Sequence, residues 1–191
     1  MAGGVPIQGP PIQPVGTSTT AFVGATGAGP QGQAVLVTSF VEFERTFGTA
    51  GGELAQSVRL FFENDGARAY VVRAESHVVA ALAALDGLPV NLLALPDTGG
   101  LSPHDAANRI GGAADVCDRK RWVLIVDPPA SLSQAALETW TQGLGSRPNV
   151  AVYAPRLRLP DPFLLQSRRQ FFVVERPATC PLLRIDQDEL A

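Results

Sequence analysis

Between residues 19 and 153, short unbroken apolar runs alternate with stretches whose apolar residues recur at helical spacing. The runs are TTAFVG (19–24), AVLVT (34–38), AYVV (69–72), VNLLAL (90–95), WVLIV (122–126) and a last one over 150–153. A strand that is apolar at consecutive positions presents apolar side chains on both sides of its pleat, so both faces of its sheet must be covered. Strands of this kind alternating with amphipathic helices form a parallel sheet between two helical layers, joined by right-handed crossovers. The expected fold is therefore a three-layer α/β sandwich with a mainly parallel sheet, an extended N-terminal arm and an irregular C-terminal tail.

Helix starts and stops are written into the intervening segments. Ser39 with Glu42 three residues on forms a capping box, followed by Val41, Phe43 and Phe47 as an inward face and Gly48 as a stop. Leu54, Val58, Phe61 and Phe62 fall at i, i+4, i+7 and i+8, and Asn64-Asp65-Gly66 ends that helix. Ser76 is expected to cap a helix carrying Val78, Val79, Leu82 and Leu85, stopped by Gly87. Ser102-Pro103 has the favoured cap-then-proline order and precedes Ala106, Ala107, Ile110, Ala113, Ala114 and Cys117 on one side. Ser131 or Ser133 opens a helix with Leu132, Ala136, Leu137, Trp140 and Leu144.

The ends of the chain break this pattern. Pro6, Pro10, Pro11 and Pro14, interspersed with glycines, forbid a helix or a central strand over 1–18 and leave an extended arm. After Pro155 the alternation stops, with one strand-like run at Gln170–Glu175. At 191 residues the chain suits one domain plus tails, expected as an arm over 1–18, an α/β domain over 19–163 and a tail over 164–191. Hydrophobic residues make up 46% and charged residues 17%, and mean hydropathy is +0.12. No run approaches the ~18 apolar residues of a membrane span, so the apolar excess goes into a core or into contacts with other chains. A net charge of −3 argues against a nucleic-acid binder, which needs a basic field. The N-terminus has neither the basic nor the apolar region of a secretory signal, which makes a cytoplasm the expected place of synthesis. Of the 15 basic residues only Lys120 is a lysine; arginine suits interfaces, and a GC-rich genome gives the same bias.

Four candidate sites for chemistry were weighed. Gly24-Ala25-Thr26-Gly27-Ala28-Gly29 follows a strand, as a dinucleotide loop does, but its spacing is GxxGxG and a β-branched run follows instead of a helix. An ordinary turn fits it better, with a nucleotide-binding enzyme as the alternative. His77 and His104 sit at helix starts, and no serine lies in a G-x-S-x-G elbow. Asp127-Pro128-Pro129 follows a strand, where a carboxylate could hold a metal and where a rigid turn is the plainer role. The basic runs Arg119-Lys120-Arg121 and Arg168-Arg169 suit helix-end or solvated roles. Cys117 and Cys180 match no metal or redox spacing. No catalytic, cofactor or metal residue is named.

Six strings in order carry a resemblance: GTSTTAFVG (16–24), VLVTSFVEFERTFG (35–48), LAQSVRLFFENDGARAYVVR (54–73), NLLALP (91–96), RWVLIVDPP (121–129) and NVAVYAPRLRLPDP (149–162). Together they resemble the N-terminal α/β region, subtilisin-like by fold, of tail sheath proteins from contractile phages and related bacterial injection systems. The resemblance implies a structural, non-catalytic subunit that assembles with, or caps, a sheath around an inner tube. It also implies oligomeric partners: other sheath subunits, the inner tube, baseplate or cap proteins. Family members continue into a C-terminal domain past the PDP element, which this chain is expected to lack.

Apolar residues without an evident core partner are the interface candidates, for a sheath assembly or, as the alternative, for an interaction module that docks a non-sheath partner. They are Val5, Ile7 and Ile12 in the arm and Phe163, Leu164, Phe171 and Phe172 in the tail. The tail residues have an alternative, folding back onto their own α/β layer.

Overall fold

The computed structural model describes residues 19–49 and 51–154, so the arm, the tail and residues 155–163 of the expected α/β domain lie outside the described residues. Six strands form one sheet: β1 (Thr20–Gly24), β2 (Ala34–Val37), β3 (Ala69–Arg73), β4 (Leu92–Leu95), β5 (Val123–Val126) and β6 (Val150–Val152). Their spatial order is β2-β3-β1-β4-β5-β6. The five strands from β3 to β6 run parallel, and β2 joins β3 antiparallel at one edge. The three-layer α/β expectation holds, with helices on both faces.

The two faces have separate cores. On one, Ala21, Val23, Val72, Leu93, Leu124 and Val126 point at α3 (Val78–Ala81), α4 (Pro103–Lys120) and α5 (Gln134–Gly143). On the other, Phe22, Val37, Ala69 and Val71 meet α1 (Phe40–Phe47) and α2 (Glu53–Glu63). Each strand therefore feeds alternate residues to opposite layers, as the pleat requires. Phe43 and Phe47 are buried and their rings stack at 5.3 Å between centroids. Burying each is worth about 1.5–3 kcal/mol.

The caps show how local chemistry sets the helix ends. Ser39 Oγ accepts from the Glu42 N–H at 3.2 Å. Glu42 completes the box one residue further back than expected: its carboxylate accepts from the Thr38 N–H at 2.8 Å and from the Thr38 hydroxyl at 2.9 Å. These bonds, the backbone one first, hold its carboxyl below the usual range. Ser102 and Ser133 cap α4 and α5 with their side chains. Ser133 thus opens α5, and Leu132 precedes it.

Three expectations need correction. Val41 is 64% exposed rather than inward, because α1 begins at Phe40 and presents Phe40, Phe43 and Phe47 at i, i+3 and i+7. Ser76 does not cap the next helix; His77 takes that position without a side-chain bond, and only one α-turn forms before a 3-10 turn over Leu82–Leu85. No residue of α5 is fully buried. Trp140 and Leu144 pack partway against the first core, and the Trp140 indole N–H donates to the Pro103 carbonyl at 2.9 Å, pinning α5 to the start of α4.

The end of α2 makes a stability prediction. Asp65, just past the Asn64 cap, sits at φ 62°, and the Gly66 N–H reaches back to the Phe61 carbonyl at 2.9 Å. This is a Schellman closure with aspartate at the left-handed position that glycine usually takes. A Cβ on Gly66 would run into the Phe61 ring and carbonyl. Asp65→Gly is expected to raise the unfolding free energy by roughly 0.5–1 kcal/mol, and Gly66→Ala to lower it by about 1–3 kcal/mol. Urea denaturation of the two variants beside the parent chain checks both.

Candidate functional site

In open parallel sheets, ligands bind outside the carboxyl ends of the strands, where the strand order reverses. Here the chain passes from β1 to β3 on one side and to β4 on the other, so the reversal lies between β1 and β4. Three connections meet near it: the glycine loop after β1, the 3-10 turn Pro96–Gly100 after β4, and Asp127-Pro128-Pro129 after β5.

The glycine loop is occupied by its own fold. Ala28 N–H donates to the Phe47 carbonyl at 3.0 Å and Gly32 N–H to the Arg73 carbonyl at 2.9 Å. Arg73 Nη1 donates to the Gly29 carbonyl at 3.2 Å and Nη2 pairs with Glu75 at 2.7 Å. Gly29, at φ 95°, lies against the Phe47 ring, where a side chain would not fit. The next element is β2, not a helix. The Ala28 amide is thus committed to α1 and the Gly32 amide to β3, as in a structural turn.

At the reversal itself, Asp97 meets the exit of β1. Its Oδ2 accepts from the Ala25 N–H at 2.5 Å, and a Cβ on Gly24 would collide with the same carboxyl group. Gly24 is therefore needed for close approach. The Ala25 N–H is thereby already bonded within the chain. Burial raises the Asp97 carboxyl above the ordinary aspartate range. The Ala25 hydrogen bond opposes the rise, Glu53 adds to it, and Arg109 opposes it.

Next to this contact, the exits of β4 and β5 are stitched together. The buried Thr98 hydroxyl lies 2.9 Å from the Leu95 carbonyl and 3.1 Å from the Asp127 carbonyl, and the Ala130 N–H donates to Gly99 at 2.9 Å. Pro128 and Pro129 are buried, so the Asp-Pro-Pro segment serves as a rigid turn.

The remaining candidates are scattered. His77 and His104 are exposed at helix starts, with His104 Nε2 beside Asn108 Nδ2 at 2.9 Å. Cys117 is fully buried, and burial pushes its thiol up to about 12, which makes it unreactive. Lys120 closes α4 and pairs with Asp86 at 2.8 Å. No group of three or more His, Cys, Asp or Glu residues suited to a metal occurs among the described residues. No helix among them is long and apolar enough to cross a membrane. The interface candidates Val5, Ile7, Ile12, Phe163, Leu164, Phe171 and Phe172, together with Cys180 and Arg168-Arg169, lie outside the described residues.

What the sequence did not reveal is a surface. Val123 is 41% and Tyr153 53% exposed, on the side of the sheet that carries α1 and α2 but beyond their reach. Leu92, Ile125 and Ala151 share that side and are half-buried. Continuous apolar strands predict cover on both faces, so no strand pattern could have marked this half as open.

The Asp97–Ala25 contact predicts a pH dependence. The folded chain holds a proton on Asp97 that the unfolded chain releases, over the window from the ordinary aspartate value up to the raised folded one. The stabilising contribution of the protonated group is complete below that window and lost as pH rises through it. Asp97→Asn does not titrate and keeps an acceptor for Ala25. Its unfolding free energy minus that of the parent is expected to climb across the window and level off above it, in urea titrations from about pH 3 to pH 7.

No protein-family model matches this chain, and no curated protein does. Among solved structures, a chain in the cryo-EM structure of the anti-feeding prophage (AFP) baseplate in its contracted state matches with a TM-score of 0.53 at 22% identity. The match covers 82% of this chain and 48% of that one, so this chain spans about half the length of the chain it resembles. The likeness is one of fold: an α/β sandwich that also occurs in a component of a contractile particle.

Proposed function

We propose that this chain is a non-catalytic structural subunit of a contractile, phage tail-like injection apparatus, built on a tail-sheath-type α/β unit. The observation that carries the reading is the fold shared with a chain of the contracted AFP baseplate over 82% of this chain. Two further features support it. The six ordered strings from residue 16 to residue 162 resemble sheath sequence. At the crevice where an α/β enzyme would bind a ligand, the Ala25 N–H is bonded to Asp97.

The partners implied are other sheath subunits, an inner tube, and baseplate or cap proteins, met in the bacterial cytoplasm as the particle assembles. Val5, Ile7 and Ile12 are the proposed contacts from the arm. Phe163, Leu164, Phe171 and Phe172 have two possible destinations, a neighbour or the chain's own sheet, which are separated below.

Electron microscopy of particles from the native gene cluster, with this gene deleted and restored, tests the reading. Deletion is expected to yield particles with a missing or malformed sheath, baseplate or end cap, and the restored gene to repair them. Purified chain is also expected to bind co-expressed sheath, tube or baseplate protein, with Ile7→Asp/Ile12→Asp weakening that binding by about tenfold or more. A chain that stays monomeric at high concentration, binds none of these proteins and leaves the particles unchanged when deleted would refute the reading.

A further inference from the structure

The registered pairing of the sheet lets cover be followed residue by residue across one face. One cross-strand row runs Val37, Ala69, Thr20, Leu92, Val123. Its first three members are buried, Leu92 is half-buried, and Val123 is open. The next row runs Val35, Val71, Phe22, Ala94, Ile125, Ala151. Its middle is packed under α1 and α2, while Ile125 and Ala151 belong to neither core. On the opposite face the same strands are sealed, with Leu93, Leu124 and Val126 buried. Among the described residues, the β4–β6 part of this face thus has no helical layer, whereas parallel sheets are covered on both faces.

We propose that the missing layer is this chain's own segment 155–175, which turns back over β4–β6 and sets Phe163, Leu164, Phe171 and Phe172 against Leu92, Val123, Ile125, Ala151 and Tyr153. The place where the described chain stops supports this occupant. Residue 154 follows β6, an edge strand paired on one side only. Tyr153 still donates its N–H to the Val126 carbonyl at 3.1 Å and stands on the open face. The next residues therefore leave from the margin of the surface they would cover. From β6 to β4 is about 10 Å at the usual strand spacing. Phe163 lies nine residues past Ala154, a reach of up to about 30 Å. In the sequence of this connection, Pro155, Pro160 and Pro162 disfavour a helix. Closing so short a loop costs little entropy, and tethering gives an effective concentration in the millimolar range, which favours the chain's own tail over a second copy.

A photoreactive benzophenone side chain installed at Tyr153 tests the placement, in an equal mixture of full-length unlabelled and 15N-labelled chains, with adducts mapped by mass spectrometry. Adducts to 155–175 with both peptides from the same isotope are expected. Mixed-isotope adducts would mean that a second copy covers the face and would overturn the proposal, as would adducts confined to other segments or none at all. Independently, Phe171→Ser/Phe172→Ser in the full chain, with its circular dichroism checked, is expected to speed amide hydrogen exchange in β5 and β6 by about tenfold while leaving α1 and α2 unchanged. Unaltered exchange in β5 and β6 would also overturn the proposal. Both readouts use the isolated chain, so they stand or fall separately from the proposed assembly role.

Discussion

Every residue of β1 is buried, and β1 bonds to β3 along one edge and to β4 along the other. Once Thr20–Gly24 occupies the middle of the sheet, Ala21 and Val23 must face one helical layer and Phe22 the other. The two cores inherit their composition from that alternation. The β1 end also fixes the loop that follows: Gly24 accepts from the Ala74 N–H at 2.8 Å, holding the exits of β1 and β3 together. The antiparallel β2 then closes that side of the sheet at a distance that α1 and α2 can roof.

The exit of the same strand meets a carboxylate from the β4 exit. Ligands of such sheets bind where β1 and β4 part, and there Asp97 accepts from the Ala25 N–H. An aspartate is an unusual partner for that amide, because its charge is poorly solvated there; the Ala25 N–H offsets part of that cost and Arg109 adds a smaller share. Two glycines of the loop serve close packing, Gly29 under Phe47 and Gly24 beside Asp97.

Much of this was legible in the sequence where the signal is local. The Ser102-Pro103 start and the Asn64-Asp65-Gly66 stop are each set by a few adjacent residues and appear as read, and of the two serines open as the cap of α5 the structure takes Ser133. The orientation of β2 was not legible, because Ala34–Val37 has the same apolar character as its parallel neighbours and only its pairing to β3 distinguishes it. Val41 falls outside the inward face because two residues of helix turn it about 200° from Phe43. The Asp97–Ala25 contact joins residues 72 apart, beyond any spacing rule. The open half of the sheet could not be read from Val123 and Ile125, which resemble strand residues that are covered. Ser76 failed as a cap because the chain over 75–77 takes another turn before α3 begins.

Cys117 has a use unrelated to its chemistry. It is fully enclosed between α4 and the sheet, and its thiol stays protonated well above neutral pH. A thiol reagent can reach it only when α4 lifts from the strands beneath. Its labelling rate therefore reports how often that interface opens. Because its peptide differs in mass from the one bearing Cys180, the same reagent can follow the core and the tail separately in a single sample, and so time the loosening of one relative to the other.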